Sequence, residues 1–276
     1  MFTLNCKGRL VRIERPLIMG ILNVNDDSFY AGSRFQNEDA LLMKARQMID
    51  EGADILDIGG QSTRPRSIRV SAGEEASRVL PAIDSIKKQF HNALVSIDTY
   101  HAAVAKQAVD AGACIVNDIS GGDMDDEMYE TVAKLEVPYI CMHIKGTPET
   151  MQEQATYEDV TKEVIDYFIQ KTNRLKQAGI KDIIIDPGFG FAKTIAQNFI
   201  LLQNLSLLKI LDMPVMIGLS RKSTIYKTLR ISVEDSLNGT TTLHTIALQN
   251  GADILRVHDV KEAKEAVTLY QAYNKA

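Results

Sequence analysis

The chain is built on a repeat. Eight times a short apolar run stops at a polar or glycine residue, and in most cases a segment with helically spaced apolar positions follows. The runs lie at 17–22, 55–58, 94–97, 114–116, 138–142, 183–185, 214–217 and 254–255. Helices are expected at about 38–51, 71–89, 101–111, 126–135, 157–178, 195–203 and 233–249, with a last helix closing the chain. The runs are continuously apolar rather than alternating, as strands of a parallel sheet are when both faces are buried. Gly52-Ala53-Asp54, Gly112-Ala113-Cys114 and Gly251-Ala252-Asp253 recur at helix-to-strand turns, where glycine supplies the left-handed cap. Eight such units predict a (β/α)8 TIM barrel, in preference to an open doubly wound sheet. Residues 2–6 and 9–13 alternate around Lys7-Gly8 and predict a β-hairpin covering the N-terminal end of the barrel. Ser71-Ala72-Gly73-Glu74 has the pattern of a capping box. No Pro/Gly/Ser-rich linker interrupts residues 1–276, so one domain is expected.

Composition narrows the function class. A net charge of −5 leaves no basic excess to neutralise a nucleic-acid backbone. The N-terminus lacks the apolar core of a signal peptide, and no run approaches the ~20 residues a membrane helix needs. Cys6, Cys114 and Cys141 are scattered without a C-x-x-C pair, which reads as reduced thiols in a cytoplasmic protein; Cys114 and Cys141 fall inside apolar runs and are expected to pack.

The chemistry gathers at the ends of the runs. In chain order they deliver Asn23; Gly59-Gly60 and then Ser62, Thr63 and Arg64; Asp98; Asn117 and Asp118; His143; Asp186; Gly218, Ser220 and Lys222; and Arg256 with His258. In a barrel these ends converge on one mouth, within reach of one small molecule. Asp118 reads equally as a turn residue or helix cap. Asp57 lies between Leu56 and Ile58, points into the barrel and needs a partner there. Asp98, Asn117, Asp186 and Lys222 form a pocket suited to a fused heterocycle, since a carboxylate accepts two parallel N–H bonds and an amide both donates and accepts. Asn23, Thr63, Arg64, Ser220, Arg256 and His258 offer donors for phosphate oxygens. His91, His101 and His244 read as structural or solvated. Gly188-Phe-Gly-Phe-Ala-Lys193 lacks the third glycine of a dinucleotide fingerprint and the Gly-Lys-Ser/Thr of a P-loop, so a phosphate-loop reading is set aside. No transition-metal spacing is present. A hard cation such as Mg²⁺, held by Asn23 and substrate phosphate, is compatible.

At the level of motifs the chain resembles the dihydropteroate synthase family along almost its whole length. The matching stretches are Ile18-Met-Gly-Ile-Leu-Asn-Val24 with Asp27-Ser-Phe29, Asp57-Ile-Gly-Gly-Gln-Ser-Thr-Arg-Pro65, Ser96-Ile-Asp-Thr99, Asn117-Asp-Ile-Ser-Gly121, Met142-His-Ile-Lys-Gly-Thr-Pro148, Asp186-Pro-Gly-Phe-Gly-Phe191, Ser220-Arg-Lys-Ser223 and Arg256-Val-His-Asp259. The resemblance implies a transferase of folate biosynthesis that joins 6-hydroxymethyl-7,8-dihydropterin pyrophosphate to p-aminobenzoate, releasing pyrophosphate and 7,8-dihydropteroate. It implies a pterin site at Asp98, Asn117, Asp186 and Lys222, with Met142 and Gly218 also among the substrate-binding residues. A pyrophosphate site would comprise Asn23, Thr63, Arg64, Arg256 and His258, with Mg²⁺ on Asn23. A p-aminobenzoate site, open to sulfonamides, would use Phe29, Pro65, Phe191, Lys222 and Ser223. Lys222, Arg256, His258, Asp98 and Asp186 would carry the chemistry, with no side-chain nucleophile. A homodimer through the last helices is implied too.

The match has departures. Asn25 and Asp26 stand where the family has Thr-Pro, and Ala31 where it has a second Asp; Asp26 is expected to take over part of that charge. Gln61 replaces a common Glu and Arg66 a common Gly. Arg66 and Arg69 add positive charge to the second loop, to attract a benzoate carboxylate or simply as solvated charge. Segments 25–37 and 61–71 lack regular patterning and are expected to move without ligand. Two other readings remain: a methyltetrahydrofolate-dependent methyltransferase, which has no use for Thr63, Arg64, Arg256 and His258, and a catalytically inactive pterin-binding paralogue, favoured only by the altered first loop.

Overall fold

The computed structural model describes residues 1–24, 34–61 and 69–275, with only the backbone of 34–37. Phe29, Thr63, Arg64 and Pro65, the departures at Asn25, Asp26, Ala31 and Arg66, and the loop motion expected there therefore lie outside the described residues.

The opening hairpin pairs β1 (Phe2–Cys6) with β2 (Arg9–Ile13), antiparallel. Lys7 and Gly8 both take positive φ, 55° and 86°, the twist that matches a two-residue hairpin turn. Eight parallel strands follow: β3 (Leu17–Asn23), β4 (Ile55–Gly59), β5 (Leu94–Asp98), β6 (Ile115–Asp118), β7 (Tyr139–Met142), β8 (Ile183–Asp186), β9 (Met216–Ile217) and β10 (Ile254–Val257). Their order is β8-β7-β6-β5-β4-β3-β10-β9, and a bridge between Ile185 and Val215 joins the two edges. The TIM barrel and its hairpin are as the repeat predicts. The helices are α1 (Arg34–Asp50), α2 (Ala72–Gln89), α3 (Ala102–Asp110), α4 (Met128–Leu135), α5 (Val160–Gln177), α6 (Ile195–Gln203), α7 (Ser223–Leu229), α8 (Leu237–Gln249) and α9 (Val260–Lys275). No helix among them is long and apolar enough to cross a membrane.

Strand periodicity divides the apolar side chains in two. At one parity Leu17, Met19, Ile55, Leu94, Ile115, Ile140, Ile184, Met216 and Ile254 fill the lumen, and Leu4, Cys6 and Ile13 of the hairpin close it from below. At the other parity Ile18, Leu56, Val95, Val116, Tyr139, Ile185, Ile217 and Leu255 pack against the helices. Cys6 and Cys114 meet in the plug, and all three cysteines are free and buried.

The turn motif has a further use. Gly52, Gly112 and Gly251 sit at φ 103°, 117° and 92°. After Gly52 and Gly251 the aspartate two residues on staples the next strand to its neighbour; after Gly112 that position is Cys114. Asp54 Oδ2 accepts from Ile18 N–H at 2.9 Å and Asp253 Oδ2 from Val215 N–H at 2.8 Å. Arg15 and Lys209, each at 2.5 Å, neutralise these carboxylates.

Some elements depart from expectation. At Ser71 only half of a capping box forms: its Oγ accepts from Glu74 N–H at 3.3 Å, while the Glu74 carboxylate takes Arg78 at 2.6 Å instead. The reciprocal box is at Thr194 and Gln197. The helix expected from 233 begins as a 3-10 turn, Glu234–Ser236. The short helix α7 and the 3-10 turn Leu205–Leu211 have no counterpart in the sequence reading, being too short for a periodic signal.

Candidate active site at the barrel mouth

Two residues above the apolar floor, at the same inward parity, come Asp57, Ser96, Asn117, Met142, Asp186, Gly218 and Arg256, and Asp98 stands one step higher on β5. The lumen thus turns from hydrocarbon to charge over one pleat. His143 has the opposite parity. It is buried in the outer layer against Tyr167 and Phe168 rather than opening on the mouth. Asp118 also faces outward, where it accepts bonds from Ser120 and Gly122 N–H and from the Tyr139 hydroxyl at 2.7–3.0 Å; it is a structural cap.

Arg256 is the hub. Its Nε donates to Asp57 Oδ2 and its Nη2 to Asp98 Oδ2, both at 2.6 Å. The same Asp57 oxygen accepts from Asn117 Nδ2 at 3.1 Å, which supplies the partners Asp57 was expected to need. Asp57 is fully buried, and its Oδ1 has no hydrogen-bond partner among the described residues. Arg256 is thus turned inward on two carboxylates. Burial pushes the Asp98 carboxyl up to about 7; the Arg256 cation opposes this, while Asp57, Asp118 and Asp186 reinforce it. Asp186 is raised too, first by burial and against the pull of Lys222, and its Oδ1 accepts from Gly188 N–H at 2.8 Å.

Lys222 enters from the residue before α7. Its ammonium donates to the Phe189 carbonyl and lies 4.6 Å from the centre of the Phe191 ring. Burial lowers it to about 8, with Asp186 pulling the other way. Gly190 leaves it room, since a Cβ there would sit 3.0 Å from Cδ; Gly218 lies beside its Nζ at an ordinary contact distance. Ser223 follows as the first residue of α7. His258 Nδ1 lies 3.0 Å from Ser220 Oγ; burial, then the Arg256 charge, lowers its pKa and favours neutral imidazole. Asn23 ends β3 exposed at the rim, its Oδ1 close to Gly59. Arg221 faces away from the mouth and pairs with Asp259 through two bonds of 2.8–2.9 Å. His244 is buried in α8, and His101 Nε2 lies 3.2 Å from the Val70 carbonyl. Among the described residues the mouth therefore holds an excess of buried carboxylate around one guanidinium, beside a softened lysine and an aromatic face.

A TIM barrel with these side chains at its strand ends defines a class of small-molecule enzyme. Residues 19–258 match the family described as pterin binding enzyme. The chain is 43% identical over 259 residues to the dihydropteroate synthase of Clostridium beijerinckii, covering 93% of each protein. The solved structure of Xanthomonas albilineans dihydropteroate synthase with 4-aminobenzoic acid superposes with a TM-score of 0.91 at 38% identity, over 99% of this chain and 98% of that one. That of Yersinia pestis dihydropteroate synthase with a sulfonamide drug gives 0.93 at 38% identity over all of both chains. The chain belongs to the pterin-binding enzyme family, and within it to the dihydropteroate synthases, transferases of folate synthesis.

Proposed function

We propose that this mouth condenses 6-hydroxymethyl-7,8-dihydropterin pyrophosphate with p-aminobenzoate to give 7,8-dihydropteroate and pyrophosphate. The observation that carries the residue roles is the carboxylate excess around Arg256. Asp98, Asn117 and Asp186 take the donor-rich edge of the pterin, with Met142 and Gly218 shaping the pocket. As the bond from the pterin methylene to oxygen breaks, positive charge develops on the ring, and buried carboxylates are placed to stabilise it. The departing pyrophosphate meets Arg256, His258, Thr63 and Arg64. The aniline nitrogen of p-aminobenzoate, held by Phe29, Pro65, Phe191, Lys222 and Ser223, forms the new carbon–nitrogen bond and then loses its proton. Neither a nucleophilic side chain nor a strong general base is needed.

A magnesium ion would be shared between Asn23 and the substrate's phosphate oxygens. No group of three or more His, Cys, Asp or Glu among the described residues could hold one. Asn23 is exposed at the rim, at the end of β3, so its side-chain oxygen is accessible to an ion. Asn23 would hold the ion together with phosphate oxygens and water, and the ion would supply charge neutralisation on the leaving group. Further parts of the proposal are a one-domain cytoplasmic enzyme and a homodimer through the last helices.

Incubation with the pterin pyrophosphate, p-aminobenzoate and Mg²⁺ should release pyrophosphate and form dihydropteroate, with a sulfonamide competing against p-aminobenzoate. A folded protein that releases none would refute the proposal.

A further inference from the structure

The loop after β8 is under strain. Within residues 188–192, Gly188, Gly190 and Ala192 take φ of 68°, 81° and 47°. Ala192 lacks glycine's freedom there, and its Cβ makes this left-handed conformation unfavourable. The loop also lies hard against the end of β7, since a Cβ on Gly188 would fall 2.1 Å from the His143 carbonyl. This one loop presents the Phe189 carbonyl and the Phe191 ring, the two contacts that hold Lys222. Such a strained backbone keeps its shape only where its surroundings over-determine it.

Lys193 is what over-determines it. The residue is 4% exposed, yet its side chain takes no part in the pocket. Nζ curls back to the carbonyls of Gly188 and Phe191, each at 3.1 Å, and to His143 Nδ1 at 2.9 Å. Three acceptors match the three N–H of an ammonium. His143 is 2% exposed and kept neutral by burial, then by the charges of Lys193 and Lys145, so that Nδ1 accepts. Burial also draws Lys193 down to about 7 against the pull of Asp186. When Lys193 is the free amine, the neutral imidazole can turn to its Nδ1–H tautomer and donate to Nζ, and two N–H remain for the two carbonyls. From the other flank Asn198 accepts from Gly190 N–H at 2.7 Å.

We propose that Lys193 and His143 form a positioning pair that fixes Phe191 and the Phe189 carbonyl around Lys222, and so sets the site's affinity for the aromatic amine. This rests on the reading of the mouth as a p-aminobenzoate acceptor site. Both residues act through the loop, since the Lys193 ammonium is spent on the Gly188 and Phe191 carbonyls and on His143.

The test compares Lys193→Met, His143→Ala and His143→Asn, the last keeping an acceptor near the Nδ1 position. Lys193→Met and His143→Ala should raise the KM for p-aminobenzoate and the inhibition constant of a sulfonamide about tenfold or more, a loss of at least about 1.4 kcal/mol. Calorimetric binding of a pterin analogue, which Asp98, Asn117 and Asp186 also hold, should weaken by a clearly smaller factor, and His143→Asn should restore most of the loss. Should Lys193→Met fail to fold, the His143 pair makes the same comparison. Unchanged KM for p-aminobenzoate, or equal losses for both substrates, would overturn the proposal. Hydrogen exchange at the amides of 188–193, faster in the variants, reads the clamp without substrate. An inactive wild type with a protected loop would therefore fault the functional reading and not the clamp.

Discussion

Glu75 shows what a single buried carboxyl does to this molecule. It projects from α2 and is completely buried; Thr99 donates to it at 2.8 Å and Gln61 at 3.2 Å, while the Tyr100 hydroxyl donates to Gln61 at 2.7 Å. Burial outweighs these bonds and lifts its pKa from 4.5 to about 7. Between those values the folded protein holds a proton that the unfolded chain has released. The stability tied to this proton is therefore full below pH 4.5 and lost as pH rises through 7. Glu75→Gln keeps the shape and the bonding, so it should exceed the wild type at pH 8 by up to roughly 3 kcal/mol and match it near pH 4.5. Urea denaturation at the two pH values checks this, and an equal gain at both would refute it. Nothing in the local pattern around Glu75 distinguishes it from the exposed Glu74 beside it, because only tertiary contact with Gly60, Gln61 and Thr99 decides which is dry. Asp57 differs: an aspartate between Leu56 and Ile58 announces its own burial, though not that Arg256, 199 positions away, answers it.

Among the elements, the hairpin is the cleanest case. Its alternation and its Lys7-Gly8 turn are local, and so is its formation; its task as the barrel's floor is not. Leu4 is 2% exposed within the lumen cluster. Leu4→Ala should cost about 2–4 kcal/mol by loss of contact and a cavity. Because the mouth lies at the opposite end, kcat at a temperature well below unfolding should stay within about twofold. Thermal melts beside steady-state rates test this, and a large fall in kcat in fully folded protein would contradict it. The strands were legible because each is a continuous apolar run ended by a polar residue. Helix α7 was not, since seven residues carry too few turns to show a period. His143 illustrates the commonest error available to such a reading: a residue at a strand's end was counted into the mouth, when one step of pleat sends it to the other face.

At the scale of the molecule, α8 and α9 pack side by side and expose Ile246, Leu269 and Tyr273, the last two more than 70% accessible. If the homodimer proposed above forms here, sedimentation equilibrium should give twice the 30.6 kDa chain mass, and Leu269→Glu should lower the association constant at least tenfold. A monomer at all concentrations would rule the dimer out. The chain's order of apolar runs, caps and polar stops determined by itself that a closed parallel barrel forms and which strand ends bear its chemistry. Those features repeat locally, and the pleat and the αL glycine turn act over a few residues. The tertiary structure alone decided which polar groups meet. It put Arg256 on Asp57 and Asp98, sent Arg221 out to Asp259, and folded Lys193 back beneath the Phe191 loop. Burial and distance set those pairings, and neither quantity exists until residues far apart in sequence have closed the barrel.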